Sequence, residues 1–282
     1  NFKNRMTHSL IFFVVGTLKT LITFIHFDRP RDCIYRENLD FFLKLGLTDC
    51  KNHHFNFVIN SETGGGQIPT KSNVSVIKGH NQGYDFGGYK QSIDSVDWES
   101  FDRFIFINDT CRGPFIPNYV PKSINWVDMF LNDIDEKVKL VGPTWFNKKF
   151  NPWLQNRLGI PKGENTHIQS WCFGLDKIAL NLLINNENFN SLHKNKEQII
   201  KDNEIGMSRT LLKHNFKVKP FQLSRSSSED HGDINYNGGY FGTTLNPLDT
   251  MFYKTKGSGK GAVNNQEILN NYTKWKIQET EK

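Results

Sequence analysis

The sequence predicts an α/β fold in which helices cover both faces of a mostly parallel central sheet. Apolar runs typical of buried strands occur at residues 21–27, 55–59, 74–77 and 101–107. Helical spacing of apolar residues occurs between them, at residues 32–45, which Gly46 closes, and at residues 87–96. Strands that alternate with helices pair in parallel, and ligands of such sheets bind beyond the carboxyl ends of the strands.

The second half of the chain continues this alternation with less regularity. Its strand-like runs are residues 139–144 and 167–174, and its helical runs are residues 176–185, 202–214 and 266–277. Residues 145–163 are rich in Trp, Asn and Pro and predict a loop, whereas the polar, Gly-rich residues 224–242 predict a mobile loop.

Composition excludes some classes of protein. A chain of 282 residues with 37% hydrophobic content buries a core without a metal or disulfide staple. The net charge of +6 suits an acidic ligand, but no run of five Lys or Arg indicates nucleic-acid binding. The four cysteines lack zinc spacing and are expected to be free. Residues 10–27 are the one membrane candidate; Lys19 at their centre favours two short elements over an anchor, which remains the alternative.

The segment FDRFIFINDT, residues 101–110, places polar side chains directly after a buried strand. Asn108 and Asp109 therefore lie at the carboxyl end of that strand. Mg²⁺ and Mn²⁺ take oxygen ligands and retain waters, so one or two carboxylates suffice to hold either ion against phosphates. We interpret Asp109 as a metal ligand; the alternative is an ordinary turn, which Asn-Asp-Thr also favours.

The segment HNQGYDFGGYK, residues 80–90, precedes or opens a predicted helix. Gly87 and Gly88 allow the backbone to approach a ligand closely, and the free N–H groups of a helix start attract anions. Asp85 suits a ribose or base, and Lys90 suits a phosphate. The alternative is a Gly-rich helix start that Asp85 caps.

These two motifs together resemble GT-A glycosyltransferases. Residues 74–115 contain a strand, the pattern N-x-G-(Y/F)-D-x-G-G-x-K and an acidic strand end. They are similar to rhamnan-synthesis-type proteins and to glycosyltransferase domains of large algal and amoebal DNA viruses. The resemblance covers about residues 21–250 and implies a Rossmann-like GT-A fold, a nucleotide-diphosphate sugar as donor, a divalent cation (Mn²⁺ or Mg²⁺) as cofactor and a hydroxyl acceptor on a glycan or glycoprotein.

The resemblance also implies that Asp28, Arg29 and Glu62 surround the nucleotide, with Asp85 beside it. The motifs themselves add further candidates for donor binding, namely Gly87, Gly88, Lys90, Asn108 and Arg112. The usual Asp-x-Asp metal motif reads Asn108-Asp109-Thr110 here, so only Asp109 keeps its charge. GT-A enzymes often supply a late histidine to the metal, and His231 is the candidate; the alternative for His231 is a solvated loop residue.

An inverting transferase needs a general base, which is expected in the second half of the chain. Glu204 lies in the first turn of the predicted helix at residues 202–214, where the positive end of the helix dipole stabilises a carboxylate. Asp202 is the second candidate. The alternative is that these acidic residues favour a helix start and have no catalytic role.

Aromatic side chains in the predicted loops suit a glycan acceptor, because their faces stack on the C–H patches of sugar rings. Trp145 and Trp153 are the candidates, and His167 is placed with them. Trp171, beside Gln169 and Cys172, is expected to be buried.

The organisation that follows has four parts: residues 1–20 as an N-terminal extension or possible anchor, 21–138 as a nucleotide-sugar-binding half, 139–254 as an acceptor-binding half and 255–282 as a tail. The expected partners are a nucleotide sugar and a glycan acceptor, without nucleic acid. A cytoplasmic location, a viral factory included, is expected, with the secretory lumen as the alternative.

Two other functions stay open: a non-catalytic glycan- or nucleotide-binding module, which Asn108 favours, and a nucleotidyltransferase, whose usual Gly-rich loop after the first strand is missing.

Overall fold

The structure is a computed structural model that describes ten stretches of the chain: residues 18–27, 29, 32–60, 68–146, 152–162, 165–189, 193–222, 240, 244–255 and 265–281. Its strands are β1 (Thr20–His26), β2 (His53–Ile59), β3 (Val74–Lys78), β4 (Arg103–Asn108), β5 (Cys111–Arg112), β6 (Val138–Gly142), β7 (Trp145–Phe146), β8 (His167–Ile168), β9 (Cys172–Asp176), β10 (Lys217–Pro220) and β11 (Tyr253–Lys254).

The helices surround these strands. They are α1 (Ile34–Leu45), α2 (Tyr84–Asp94), α3 (Trp126–Leu131), α4 (Pro152–Leu158), α5 (Lys177–Asn185), α6 (Lys196–Gln198), α7 (Ile205–Lys213) and α8 (Gln266–Thr280). Short 3₁₀ turns occur at Trp98–Ser100 and Pro247–Asp249, and a π-helical segment (Ile199–Glu204) joins α6 to α7.

The central sheet has seven strands in the order β10-β6-β9-β4-β1-β2-β3. All neighbours pair in parallel except β9, which runs antiparallel to both β4 and β6. Two short antiparallel pairs, β5 with β11 and β7 with β8, lie outside it. The predicted α/β fold with a mostly parallel, Rossmann-like sheet is therefore confirmed.

Strand β1 lies in the interior of the sheet, which suits its sequence, TLITFIH, because it is rich in β-branched residues and every residue in it is buried. It pairs with β2 on one side and with β4 on the other. The expected strand at residues 21–27 is thus present within the candidate membrane segment, of which residues 10–17 lie outside the described stretches. No helix of the described part is long and apolar enough to cross a membrane.

Helices α1 and α3 bury one face of the sheet, and α2, α5 and α7 bury the other. On the first face the ring of Phe42 lies 4.8 Å from that of Phe24 and 5.9 Å from that of Trp126. On the second face Tyr89 lies 5.0 Å from Phe106, between centroids. Aromatic pairs of this kind contribute about 1 kcal/mol each beyond their buried area, so both layers hold the sheet firmly.

The helix that carries Glu204 differs from the prediction. α6, the π-helical segment and α7 follow one another without a break, and the helix begins after Asn195, whose side chain accepts a hydrogen bond from the Glu197 N–H at 2.8 Å. The predicted start at Asp202 is therefore wrong, and Glu204 lies in mid-helix. A π-helical turn inserts an extra residue into the helical period, which explains why the apolar spacing suggested a start there.

Other boundaries also moved. Residues 145–163, predicted as a loop, contain β7 and α4, and the predicted strand at 167–174 is two strands, β8 and β9, joined by a turn. Helix α2 begins at Tyr84, ahead of the predicted Gly87, because Gly83 adopts the left-handed φ of 74° that opens it. Helix α8 buries Leu269 against Phe41 and is more than a surface helix. The predicted mobile loop at 224–242 lies outside the described residues except for Tyr240.

Candidate active site

The carboxyl ends of β1 and β4 meet at a change in strand order. From β1 the chain continues to β2 and β3 on one side of the sheet and then crosses to β4 on the other side of β1. Such a switch point leaves a crevice between the two strand ends, and this is where open α/β sheets bind ligands. Asp109 follows β4 directly at this crevice.

Asp109 is clamped in place by its backbone and by one carboxylate oxygen. Its N–H donates to the Ile25 carbonyl at 3.0 Å, and its own carbonyl accepts from Nδ2 of Asn38 at 2.8 Å. Its Oδ2 accepts from the Phe27 N–H at 2.7 Å and lies 2.9 Å from Nδ1 of His26. No described residue donates a hydrogen bond to Oδ1.

His26 is the buried companion of Asp109. The side chain is fully enclosed, at 0% exposure, and neither ring nitrogen has the geometry of a hydrogen bond despite the short distance from Nδ1 to Asp109. A buried polar group without a hydrogen bond is costly, which makes the charge of Asp109 the main compensation for the imidazole.

Asp85 enters the crevice from the first turn of α2. The chain reaches it through the left-handed residues Gly83 and Tyr84, with φ of 74° and 54°. Tyr84 is costly in that conformation, and such strain is often found where a side chain is held for function. The Asp85 carboxylate accepts a hydrogen bond from Nδ2 of Asn108 at 2.7 Å, which ties α2 to the end of β4.

The charge on Asp85 is disfavoured by its surroundings. The residue is partly buried, and this burial together with the Asp109 charge raises the pKa of Asp85 to about 6. The charge of Glu204 raises the pKa further, while the Asn108 hydrogen bond and the charge of Arg29 lower it. Two carboxylates and one guanidinium, from three other segments, thus act on Asp85.

Both polar atoms of the Asn108 side chain are engaged by neighbouring residues. Its Oδ1 accepts from the N–H of Thr110 at 3.0 Å and from the Thr110 hydroxyl, and this fixes Nδ2 toward Asp85. An aspartate here would place an oxygen against the Asp85 carboxylate instead of a donor. The departure from Asp-x-Asp therefore has a local cause, because the site uses an amide to hold Asp85.

Glu204 reaches the crevice from the end of the π-helical segment. Its Oε1 accepts from the Ser170 N–H at 3.2 Å and lies 3.9 Å from Nε2 of His167. The Ser170 carbonyl in turn accepts from the Tyr89 hydroxyl at 2.9 Å. π-Helical turns occur frequently at functional sites, and this one presents Glu204 to the turn between β8 and β9.

The other residues that were expected to bind the nucleotide-sugar donor have different surroundings. The Arg29 guanidinium stacks 3.9 Å above the ring of Tyr35. Arg112 is buried, with Nη2 at 2.8 Å from Glu37 and Nε donating to Asn38, on the side of α1. Lys90 pairs with Asp94 one helical turn away.

The two glycines of α2 are both buried in that helix. A Cβ on Gly88 would lie 2.7 Å from Cδ1 of Ile25, so Gly88 lets α2 lie close against β1. Gly87 follows Phe86 on the same helix and continues the buried stretch.

The second base candidate and the acceptor candidates lie in several environments. Asp202 lies 3.3 Å from Nε2 of His193 and is not one of the carboxylates whose charges raise the pKa of Asp85. Trp153 is 65% exposed and packs under the Arg157 guanidinium, while Trp145 is partly buried against the core. His167 is 5% exposed and lies beside Glu204. Trp171 is buried, as expected, at 3% exposure.

Three expected site residues, Asp28, Glu62 and His231, lie outside the described residues. Within the described stretches, no group of three or more His, Cys, Asp or Glu side chains is arranged to hold a metal ion. A cation at Asp109 would accordingly take few ligands from this part of the protein.

Four residues of the site carried no clear signal in the sequence: His26, Asn38, Tyr89 and Ser170. His26 ends an apolar run and could have been noticed as a polar residue at a strand end. The other three come from elements whose packing order no local pattern reveals.

The comparison with protein families gives one match. A family model described as Rhamnan synthesis protein F matches residues 57–245. The matched residues include Asp85, Asp109 and Glu204 and begin within β2, after β1 and α1. No curated protein matches the chain.

Proposed function

This chain belongs to the rhamnan synthesis protein F family, and we propose that it is a GT-A-type transferase that moves a sugar from a nucleotide-diphosphate donor to a glycan hydroxyl. The family gives it a glycosyltransferase-related role in polysaccharide synthesis. The finer proposal concerns the donor, the acceptor and the residues that act on them.

The convergence of Asp85, Asp109 and Glu204 carries this proposal. Like charges repel, so a protein rarely gathers three carboxylates in a crevice unless a ligand or a proton transfer makes use of them. The charges of Asp109 and Glu204 both act on Asp85, although the three residues come from β4, the π-helical segment and α2. The place is also the switch point at which an α/β sheet binds nucleotides.

The side of the crevice formed by β1, β4 and α2 suits the donor. Oδ1 of Asp109 is a hard oxygen ligand that fits Mn²⁺ or Mg²⁺ bound jointly with a diphosphate and water, and not a cage made by protein alone. When bound, the cation neutralises the charge of the leaving diphosphate. Asp85 orients the ribose or base by accepting its hydroxyl or N–H hydrogens, and Arg29 adds positive charge near the phosphates.

Glu204 suits the acceptor side. Its Oε1 is held by the Ser170 N–H, and the carboxylate takes the proton from the acceptor hydroxyl as that oxygen attacks the anomeric carbon. The exposed ring of Trp153 offers a stacking surface for a sugar of the acceptor, and Trp145 lies in the strand next to His167.

Calorimetric titration tests donor binding. We expect one of a panel of UDP-, GDP- and dTDP-sugars to bind in the presence of Mn²⁺ or Mg²⁺. Asp109→Asn should weaken that binding more than about tenfold, because it removes the charge that faces the cation but keeps an acceptor for the Phe27 N–H. Asp40→Asn is the matched control, since Asp40 is 47% exposed and only pairs with Arg36.

The outcomes separate the functions. Binding without transfer or donor hydrolysis would favour a non-catalytic module, which is the second candidate because Asn108 is bonded to Asp85 and Thr110. Unchanged donor affinity in Asp109→Asn would remove the metal role of Asp109. No binding of any nucleotide sugar by the wild-type protein would reject the proposal.

A further inference from the structure

One ring nitrogen of His167 forms a hydrogen bond with a backbone carbonyl, and the other faces Glu204. Nδ1 lies 2.6 Å from the carbonyl oxygen of Asn165, and a carbonyl only accepts, so Nδ1 carries the hydrogen. Nε2 is then the nitrogen that gains or loses a proton. It lies 3.9 Å from Oε1 of Glu204.

The His167 side chain is held in place by its neighbours. The imidazole stacks on the Phe146 ring, with centroids 5.7 Å apart and planes inclined by 23°, and the residue is 5% exposed. The next residue, Ile168, donates its N–H to the Ser208 hydroxyl of α7 at 3.0 Å. The strand that carries His167 is therefore tied to the helix that follows Glu204.

The separation of 3.9 Å is too long for a hydrogen bond and short enough for a small movement of the Glu204 side chain to close it. Glu204 lies within electrostatic range of Asp85 from α2, and the charges of Asp109 and Arg29 also act on Asp85. An imidazolium at His167 would be attracted by the Glu204 carboxylate, since opposite charges attract.

We propose that His167 and Glu204 form a proton relay, an inference that rests on the function proposed above. The O–H bond of the acceptor breaks as its oxygen attacks the anomeric carbon, and the proton passes to the Glu204 carboxylate. The proton then moves to Nε2 of His167, which becomes an imidazolium while Nδ1 keeps its hydrogen on the Asn165 carbonyl. Glu204 is again a carboxylate, and the imidazolium later releases the proton to water. His167 acts through Glu204 and is a positioning residue.

Two isosteric variants test the relay. His167→Asn keeps an amide donor where Nδ1 stands, and His167→Gln keeps one where Nε2 stands, but neither accepts a proton. We expect kcat to fall about 100-fold in both, with the KM for donor unchanged. In the wild-type protein His167 must be neutral to accept the proton, so kcat at saturating donor declines as the pH falls through the histidine pKa. This acid limb should move to lower pH in both variants.

The controls separate the relay from a structural role. His54→Gln replaces a histidine on β2, bonded to Ser75 at 3.1 Å, and should leave kcat and the acid limb unchanged. A structural role for His167 would lower the melting temperature and leave the acid limb where it is, and that result would overturn the relay. Wild-type kcat in His167→Asn would overturn it too. Absence of transfer by the wild-type protein would instead reject the proposed function.

A measurement without variants of His167 is independent of activity. In ¹⁵N-histidine NMR spectra of the wild-type protein, His167 should be the Nδ1–H tautomer at high pH. An Nε2–H tautomer at high pH would overturn the relay, because Nε2 could then not accept the proton.

Discussion

At the scale of single residues, Asp85 combines a functional position with an energetic cost. Burial and the charges of Asp109 and Glu204 raise the pKa of its carboxyl group from the ordinary value of 3.8 to about 6. The folded protein therefore binds this proton more tightly than the unfolded chain does. The cost is complete above pH 6, shrinks as the pH falls through 6 and is absent below about 3.8.

Asp85→Asn should consequently stabilise the protein in a pH-dependent way. The amide oxygen still accepts from Asn108, and the repelled charge is gone. We expect the free energy of unfolding to rise by about 1 to 3 kcal/mol at pH 7.5 and by about a third of that amount at pH 4.5, as measured by urea denaturation. Donor binding should weaken in the same variant. A gain that is equal at both pH values would contradict this origin.

The sequence pointed to Asp85 and Asp109 more clearly than to the residues that contact the site from other strands. Asp85 and Asp109 stood out because glycines and a buried strand flank them. Glu204 was placed for a wrong reason, the dipole of a helix start, although its charge does act on Asp85. His26 and Ser170 contact residues that are far away in the sequence, and a local sequence pattern does not reveal such contacts. The catalytic, binding and metal roles of all these residues stay predictions.

At the scale of elements, the contact of α2 with β1 fixes where Asp85 lies. A Cβ on Gly88 would lie 2.7 Å from Cδ1 and 3.1 Å from Cγ1 of Ile25, closer than side chains pack. Helix α2 can therefore follow β1 closely only with glycine at this position, and its first turn then reaches the Asn108 side chain.

Gly88→Ala should cost about 1 to 3 kcal/mol of unfolding free energy, even though alanine favours helices by about 1 kcal/mol over glycine. Ile25→Val removes the Cδ1 methyl group and should recover part of this loss in the double variant. A double-mutant cycle by denaturant unfolding measures that coupling. Strictly additive effects of the two substitutions would show that the contact with Ile25 is unimportant.

At the scale of the whole molecule, the order of the strands could not be predicted from the sequence. Periodicity located β1, β2, β3, β4 and β6 but contained nothing about which strands are neighbours. The reversed direction of β9 and the edge strand β10 follow from long-range packing. The expected partition into a donor half and an acceptor half stays a prediction, and one sheet runs through both ranges.

The family match leaves out a strand that the sheet requires. Residues 57–245 lack β1, which lies between β2 and β4 and pairs with both. We expect a fragment of residues 57–245 to show no cooperative thermal unfolding by circular dichroism, because β2 and β4 would lose their shared partner. A chain of residues 18–282 should unfold cooperatively. A cooperative transition in the shorter fragment would contradict this dependence on β1.

The antiparallel strand β9 also affects how the chain folds during synthesis on the ribosome. β4 lies next to β9 in the sheet, and β6 joins the sheet through β9 as well. After β4 leaves the ribosome, about 60 more residues must be added before β9 appears, which takes roughly 3 to 12 s. During that interval the apolar edge of β4 has no partner, and an unpaired edge readily joins strands of other chains. The yield of this protein should therefore depend on chaperones that shield a nascent chain, more than the stability of the finished fold would suggest.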